Sequence, residues 1–179
     1  MRAYKAFEIG LECRGYRFVN GKNVTDKANC RANGFHCAVN PVDCLHYYPD
    51  ARISEYWVVD AGGDIDEDAL DSKVSCTELV TIRKLSINEY LLHCLSWLAK
   101  YPKDRNDSKV HKNVGIANFG YAIVCGVYPV AKGEAGDYLA LLQVNKAGHP
   151  ISMGIYRVGD QGIEPGKYYD VMGQEKLYE

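Results

Sequence analysis

The sequence predicts an α+β fold: a mostly antiparallel N-terminal sheet with two helices over residues 1–101, then a glycine-cornered, solenoid-like β segment with C-terminal hairpins over 110–179. Three observations carry this. Short alternating runs separated by turn residues fill the first half. One helical stripe with a capping box closes it. Beyond a polar stretch at 102–109, glycines recur at short intervals among small and β-branched residues.

Taken in order, "AYKAFEIG" (3–10) alternates and predicts a first strand. In "ECRGYRFVNGKNVT" (12–25), Asn20-Gly21 between two extended runs predicts a hairpin, because a type I′ turn needs positive φ at both central residues. "GFHCAV" (34–39) predicts a strand that stops at Asn40-Pro41-Val42-Asp43. There Asn40 caps a short helix over 41–48, Pro41 suits its first position and Asp43 favours its first turn. "EYWVVDAGGDI" (55–65) predicts a strand ending at a Gly-Gly break, followed by an exposed acidic loop, "DIDEDALDS". "VSCTELVTIRKL" (74–85) has the Val, Thr and Ile density of another strand.

Ser86 and Glu89 form a capping box, and Ile87, Tyr90, Leu91, Cys94, Leu95 and Leu98 fall on one helical stripe, expected to lie against the N-terminal strands. The helix ends near Tyr101-Pro102, and "PKDRNDSK" (102–109) is the candidate linker between two units, 1–101 and 110–179, the second packed on the first. In the second, Gly115, Gly120, Gly126 and Gly133 suggest one or two coils of a parallel solenoid, covered by hairpins within 137–159 and 162–179.

Composition narrows the function classes. Hydrophobic residues make up 47% and charged residues 25% of 179 positions, with a net charge of −2, which is the profile of a globular protein. Lys and Arg are dispersed without a basic block, so nucleic acid is not the expected partner. No apolar run has the length of a membrane span, and a cytoplasmic location is expected. Seven cysteines form neither an even disulfide framework nor a CxxC pair. Cys30, Cys37 and Cys44 recur every seven residues with His36 and His46 among them, yet His36 and Cys37 are adjacent and point to opposite faces of a strand. Small buried thiols are expected there, and no metal site.

The stretch "NGFHCAVNPVDCLHYYPD" (33–50) concentrates the polar chemistry. The candidate site residues are Arg14, His36, Tyr48 and Asp66. An arginine in a "CRGY" turn can grip a phosphate or carboxylate with two parallel donors, although a surface ion pair is its commoner fate. A strand histidine is more often tied to backbone than catalytic. Of Tyr47 and Tyr48, one is expected to pack and the other to face solvent. The acidic run from Asp64 through Asp66, Glu67 and Asp68 is most often a solvated loop, and the glycines at 115–136 lack the Lys-Ser/Thr of a phosphate loop.

The residues "YKAF", "LECRGYRFVNGK" and "CRANGFHCAVNPVDCLHYY" resemble the opening of an uncharacterised family common in phage and prophage genomes, with a Cys-Arg-Gly-aromatic step, a Gly-Phe-His strand and a tyrosine-rich helix. In that family a variable block of six-residue repeats precedes a second half that "YAIVCGVYPVAKGEAGDYLALLQV" and "GIEPGKYYDV" are similar to. The order of elements also looks like that of small ADP-ribosyltransferases, in which His and Tyr hold the ribose and nicotinamide of NAD and an acidic group steadies the oxocarbenium ion. Here Lys5 and Phe35 stand at the His and Tyr positions, and only the acidic run has a match.

Two functions of different class follow. The preferred one is a phage-type accessory protein that binds a host or phage protein, needs no cofactor and uses a surface rich in its 14 tyrosines, with self-association an open possibility. The alternative is an ADP-ribosyltransferase-like enzyme or a nucleotide-binding descendant. A cleft holding Arg14, His36, Tyr48 and the 64–68 loop together would separate them.

Overall fold

The computed structural model describes residues 1–30, 32–67 and 72–177. The chain is mostly β, with 51% of it in strands and 15% in helices. It divides into two compact units, Met1–Tyr90 and Leu91–Glu179.

The first unit holds a fully antiparallel sheet: β1 Arg2–Glu8, β2 Glu12–Cys13, β3 Tyr16–Arg17, β4 Lys22–Val24, β5 Phe35–Ala38, β6 Ser54–Glu67 and β7 Lys73–Leu85. β1 runs beside β6 along its length, from Arg2↔Asp60 to Glu8↔Ser54, and β6 runs beside β7. β5 pairs with β7 through Phe35↔Cys76 and with β1 through Tyr4↔Ala38, so the path β1–β6–β7–β5 returns to its start. Inside this curl Ala3, Phe7, Phe18, Phe35, Val59 and Leu79 form the core. Period-two alternation along β1 puts Lys5 on the same face as Ala3 and Phe7, and it is 5% exposed.

The hairpin in this half turns elsewhere than expected. Cys13 pairs with Tyr16 around Arg14-Gly15, whose φ values are 52° and 76°, the double positive of a type I′ turn. Asn20-Gly21 instead leads into β4, where the Asn23 amide bonds Val19 and Gly21 and Gly21 N donates to Thr81 Oγ1. The side chain of Asn23 thus organises the turn that the dipeptide was expected to make alone.

Gly62-Gly63 does not end its strand either. β6 continues to Glu67 through a register shift between Gly62 and Ile65. Gly63 has φ 68°, and a Cβ there would overlap Thr77 Oγ1, so the pair builds a bulge and not a break. Ile65 to Glu67 therefore form exposed strand in place of the expected loop, and Asp68 lies outside the described residues.

The elbow forms as its residues dictate. Asn40 Oδ1 accepts from Val42 N at 2.9 Å, Pro41 occupies the first turn of a 3-10 helix Pro41–Asp43, and α1 Cys44–Tyr47 follows. Asp43 is held by Asn40 Nδ2 and Ser72 N, which fixes the elbow to the start of β7. Leu45 is fully buried. The predicted helix is α2 Ile87–Lys100, whose capping box is present: Ser86 N donates to Glu89 Oε2 at 2.8 Å and Glu89 N to Ser86 Oγ at 3.2 Å. Tyr90 stacks on Tyr56 and donates to Pro41 O.

In the second unit Pro102–Asn106 is a 3-10 helix, with Arg105 donating to Leu98 O, Ala99 O and Gly148 O. Six strands follow: β8 Val110–Ile116, β9 Tyr121–Lys132, β10 Tyr138–Val144, β11 Pro150–Arg157, β12 Tyr168–Asp170 and β13 Glu175–Lys176. β8 and β10 lie parallel to β9, joined only by residues 117–120 and 133–137. β10–β11 and β12–β13 are the expected antiparallel hairpins. Ala122, Val124, Leu139 and Leu141 centre its core.

Candidate functional site

A cleft of about 730 Å³ opens in the first unit, where β1, β5, the β2–β3 hairpin and α1 meet. A volume of this size is ordinary for a small-molecule site. The three motifs that carried the family resemblance converge on it: Cys13 and Arg14 from the hairpin, Gly34 to Cys37 from β5, and Tyr47 and Tyr48 from the helix end. Lys5 and Lys73 join them, and no Asp or Glu lines the cleft among the described residues.

Lys5 is the unusual group. Its Nζ donates to His36 O at 2.7 Å, lies 3.8 Å from Cys13 Sγ, and sits 5.1 Å from the centroids of both Phe7 and Phe18. Among the described residues it has no carboxylate partner. A carbonyl and two ring faces stabilise an ammonium, yet they do not neutralise it, and buried charge is costly without a counter-ion. Arg14, exposed on the type I′ turn, also has no ion pair among the described residues. Lys73 donates to Tyr47 OH at 3.1 Å and lies 5.0 Å from that ring.

The field of these cations registers on the half-buried His36. Burial, then Lys5, Lys73 and Arg14, lower its pKa, so the imidazole is the neutral form near neutral pH. Tyr48 donates to Cys13 Sγ at 3.0 Å, and burial together with that bond raises its pKa. The thiols deeper in the wall are held protonated: Cys44 is pushed up to about 12 by burial, and Cys37 is raised by its bond with Cys76 and by burial. Behind Cys37, the pKa of Cys76 is lowered by the bond between the two thiols, but Cys76 does not line the cleft. The lining is rich in donors and positive charge, with no carboxylate among the described residues.

Gly34 makes the approach possible. At φ 88° a Cβ would overlap Ser75 Oγ and stand 2.9 Å from Ala28 Cα. Ser75 Oγ in turn donates to Asn33 O at 2.6 Å, fixing the entry to β5.

Of the sequence candidates, the structure brings Arg14, His36 and Tyr48 to one cleft and leaves Asp66 out. Asp66 is exposed on β6 and accepts from Cys30 N at 2.6 Å. Lys5, Lys73, Tyr16 and Tyr47 were not read as site residues. Lys5 had a signal: strict alternation places a charge on the apolar face of β1.

Residues 1–93 match the family described as Domain of unknown function (DUF7666). The chain belongs to that family. The match spans the unit that contains the whole cleft. No curated protein and no solved structure matches the chain. No helix among the described residues is long and apolar enough to cross a membrane.

Proposed function

We propose that the DUF7666 unit is a ligand-binding module whose cleft takes a small anion bearing phosphate or carboxylate groups. The observation that carries this is Lys5: a buried ammonium without a carboxylate partner among the described residues, lining a cleft that also holds Arg14, Lys73 and His36. An anion entering there supplies the missing counter-charge, and charge-assisted bonds to Lys and Arg are among the strong ones. Binding fits the site better than turnover, because an ADP-ribosyltransferase-like reaction calls for an acidic group beside the ligand and Asp66 is not among the cleft residues.

A second reading, an accessory protein of phage or prophage type that binds a host or phage protein, draws on the family resemblance and on exposed aromatic residues such as Tyr16 and Tyr47, each 47% exposed, and Tyr128, 76% exposed. The two readings are compatible if ligand occupancy controls the partner surface. Calorimetry with inorganic pyrophosphate and citrate tests the anion reading. At least one should bind the native chain and lose tenfold or more affinity in Arg14→Ala; no heat with either at millimolar concentration overturns it.

A further inference from the structure

We infer that the anion is the diphosphate of a nucleoside diphosphate, with the base resting on the tyrosines at the mouth of the cleft. This rests on the anion-binding reading and adds the chemistry of the rest of the ligand. The cations come from separate elements, Lys5 on β1, Arg14 on the hairpin turn and Lys73 at the start of β7, and all three act on the one imidazole of His36. They therefore converge on a shared volume from different walls, which suits an anion with charge spread over two linked groups better than a single carboxylate.

Flat apolar surface lies beside them. Tyr16, Phe18, Phe35 and Tyr47 all line the cleft. Tyr16 is fixed by an edge contact to Phe18 at 4.7 Å and a tilted one to Phe35 at 5.4 Å, so its ring is pre-positioned while 47% of the residue is open to solvent. Tyr47 is equally open and is steadied by Lys73. Pre-ordered, solvent-facing rings next to a cluster of cations form a stacking platform beside a phosphate grip, and every base has a face to stack. About 730 Å³ leaves room for base, ribose and diphosphate together. Among the described residues, no acidic group in the lining repels the phosphates.

Calorimetry at one fixed salt concentration with pyrophosphate, ADP, GDP, CDP and UDP tests this on the full chain. At least one nucleotide should bind tenfold or more tightly than pyrophosphate. Tyr16→Ala should reduce that nucleotide to parity with pyrophosphate and leave pyrophosphate affinity within twofold, while Tyr16→Phe, which keeps the ring, should retain the preference. If pyrophosphate binds and all four nucleotides only match it, the inference fails and the anion reading stands. If none of the five binds, the inference fails, and the anion reading fails with it unless citrate binds. A nucleotide preference that survives in both Tyr16→Ala and Tyr47→Ala also overturns the inference, because the rings then do not hold the base.

Discussion

The ammonium of Lys5 donates at 2.7 Å to the main-chain oxygen of His36, joining β1 to β5 through a charge that no carboxylate neutralises among the described residues. Two terms oppose each other when this side chain is replaced by methionine. The carbonyl of His36 loses a donor, a cost of about 1–3 kcal/mol. The chain is relieved of a buried, unneutralised ammonium, a gain of several kcal/mol even after relaxation. The second should win, so Lys5→Met is expected to raise stability in urea titration by about 1 kcal/mol or more while abolishing pyrophosphate binding. A destabilised Lys5→Met would mark the ammonium as structural.

His36 gives a pH signature with a definite sign. Burial and three cations lower its pKa in the fold, so between its ordinary value of 6.5 and the lower folded value the unfolded chain binds more protons. Stability contributed by the neutral ring is complete above 6.5 and is lost as pH falls through that window. His36→Gln should flatten the decline across it, measured by thermal unfolding at stepped pH. In the native chain, pyrophosphate should shift the His36 NMR titration upward by offsetting the repulsion from Lys5, Lys73 and Arg14; an unchanged midpoint at saturating ligand would place the anion elsewhere.

The elbow and the helix were legible because local chemistry decided them. Asn40 and Pro41 had caps and a fixed φ to offer, and Ser86 with Glu89 completed each other within one turn. The β2–β3 turn was not legible, since Arg14 at φ 52° is an unusual occupant of the left-handed region and Asn20-Gly21 carried the stronger dipeptide signal. Likewise Gly62-Gly63 reads equally as a break or a bulge, and only the long pairing partner β7 decides it. Three of four candidate site residues met in one cleft because they lie on short elements around β5, whereas Asp66 follows the register of β6 and is carried off the cleft. Lys5 was overlooked because its meaning depends on closure of the sheet through β5, a non-local event.

Gly34 should be intolerant of a side chain. Its φ of 88° strains any L residue, and a Cβ meets the backbone at Ala28 Cα as well as Ser75 Oγ. Left-handed strain alone costs about 1–3 kcal/mol. Gly34→Ala is expected to lose at least that much in urea unfolding and to weaken anion binding, as the entry to β5 shifts. A variant of native stability would mean that the segment ahead of β5 relaxes freely, and that the cleft wall is softer than the Ser75–Asn33 bond implies.

Arg14 separates stability from function most cleanly. A type I′ turn favours Asn-Gly, and here the first position is an arginine at φ 52° beside Gly15 at 76°. Asparagine tolerates that conformation far better, so the hairpin is built with a residue that local propensity alone would not select. Its guanidinium has no ion pair among the described residues to lose, and it lines the cleft. Arg14→Asn should therefore leave stability unchanged or raise it by up to about 1 kcal/mol, because the strain is released and no described contact is broken. The same substitution should cut pyrophosphate affinity by tenfold or more and flatten its dependence on salt, since one cation fewer faces the ligand. Unfolding in urea and calorimetry at two salt concentrations read both effects on one preparation. If Arg14→Asn binds pyrophosphate as the native chain does, the arginine is a bystander of the turn and the cleft grips its anion through Lys5 and Lys73 alone.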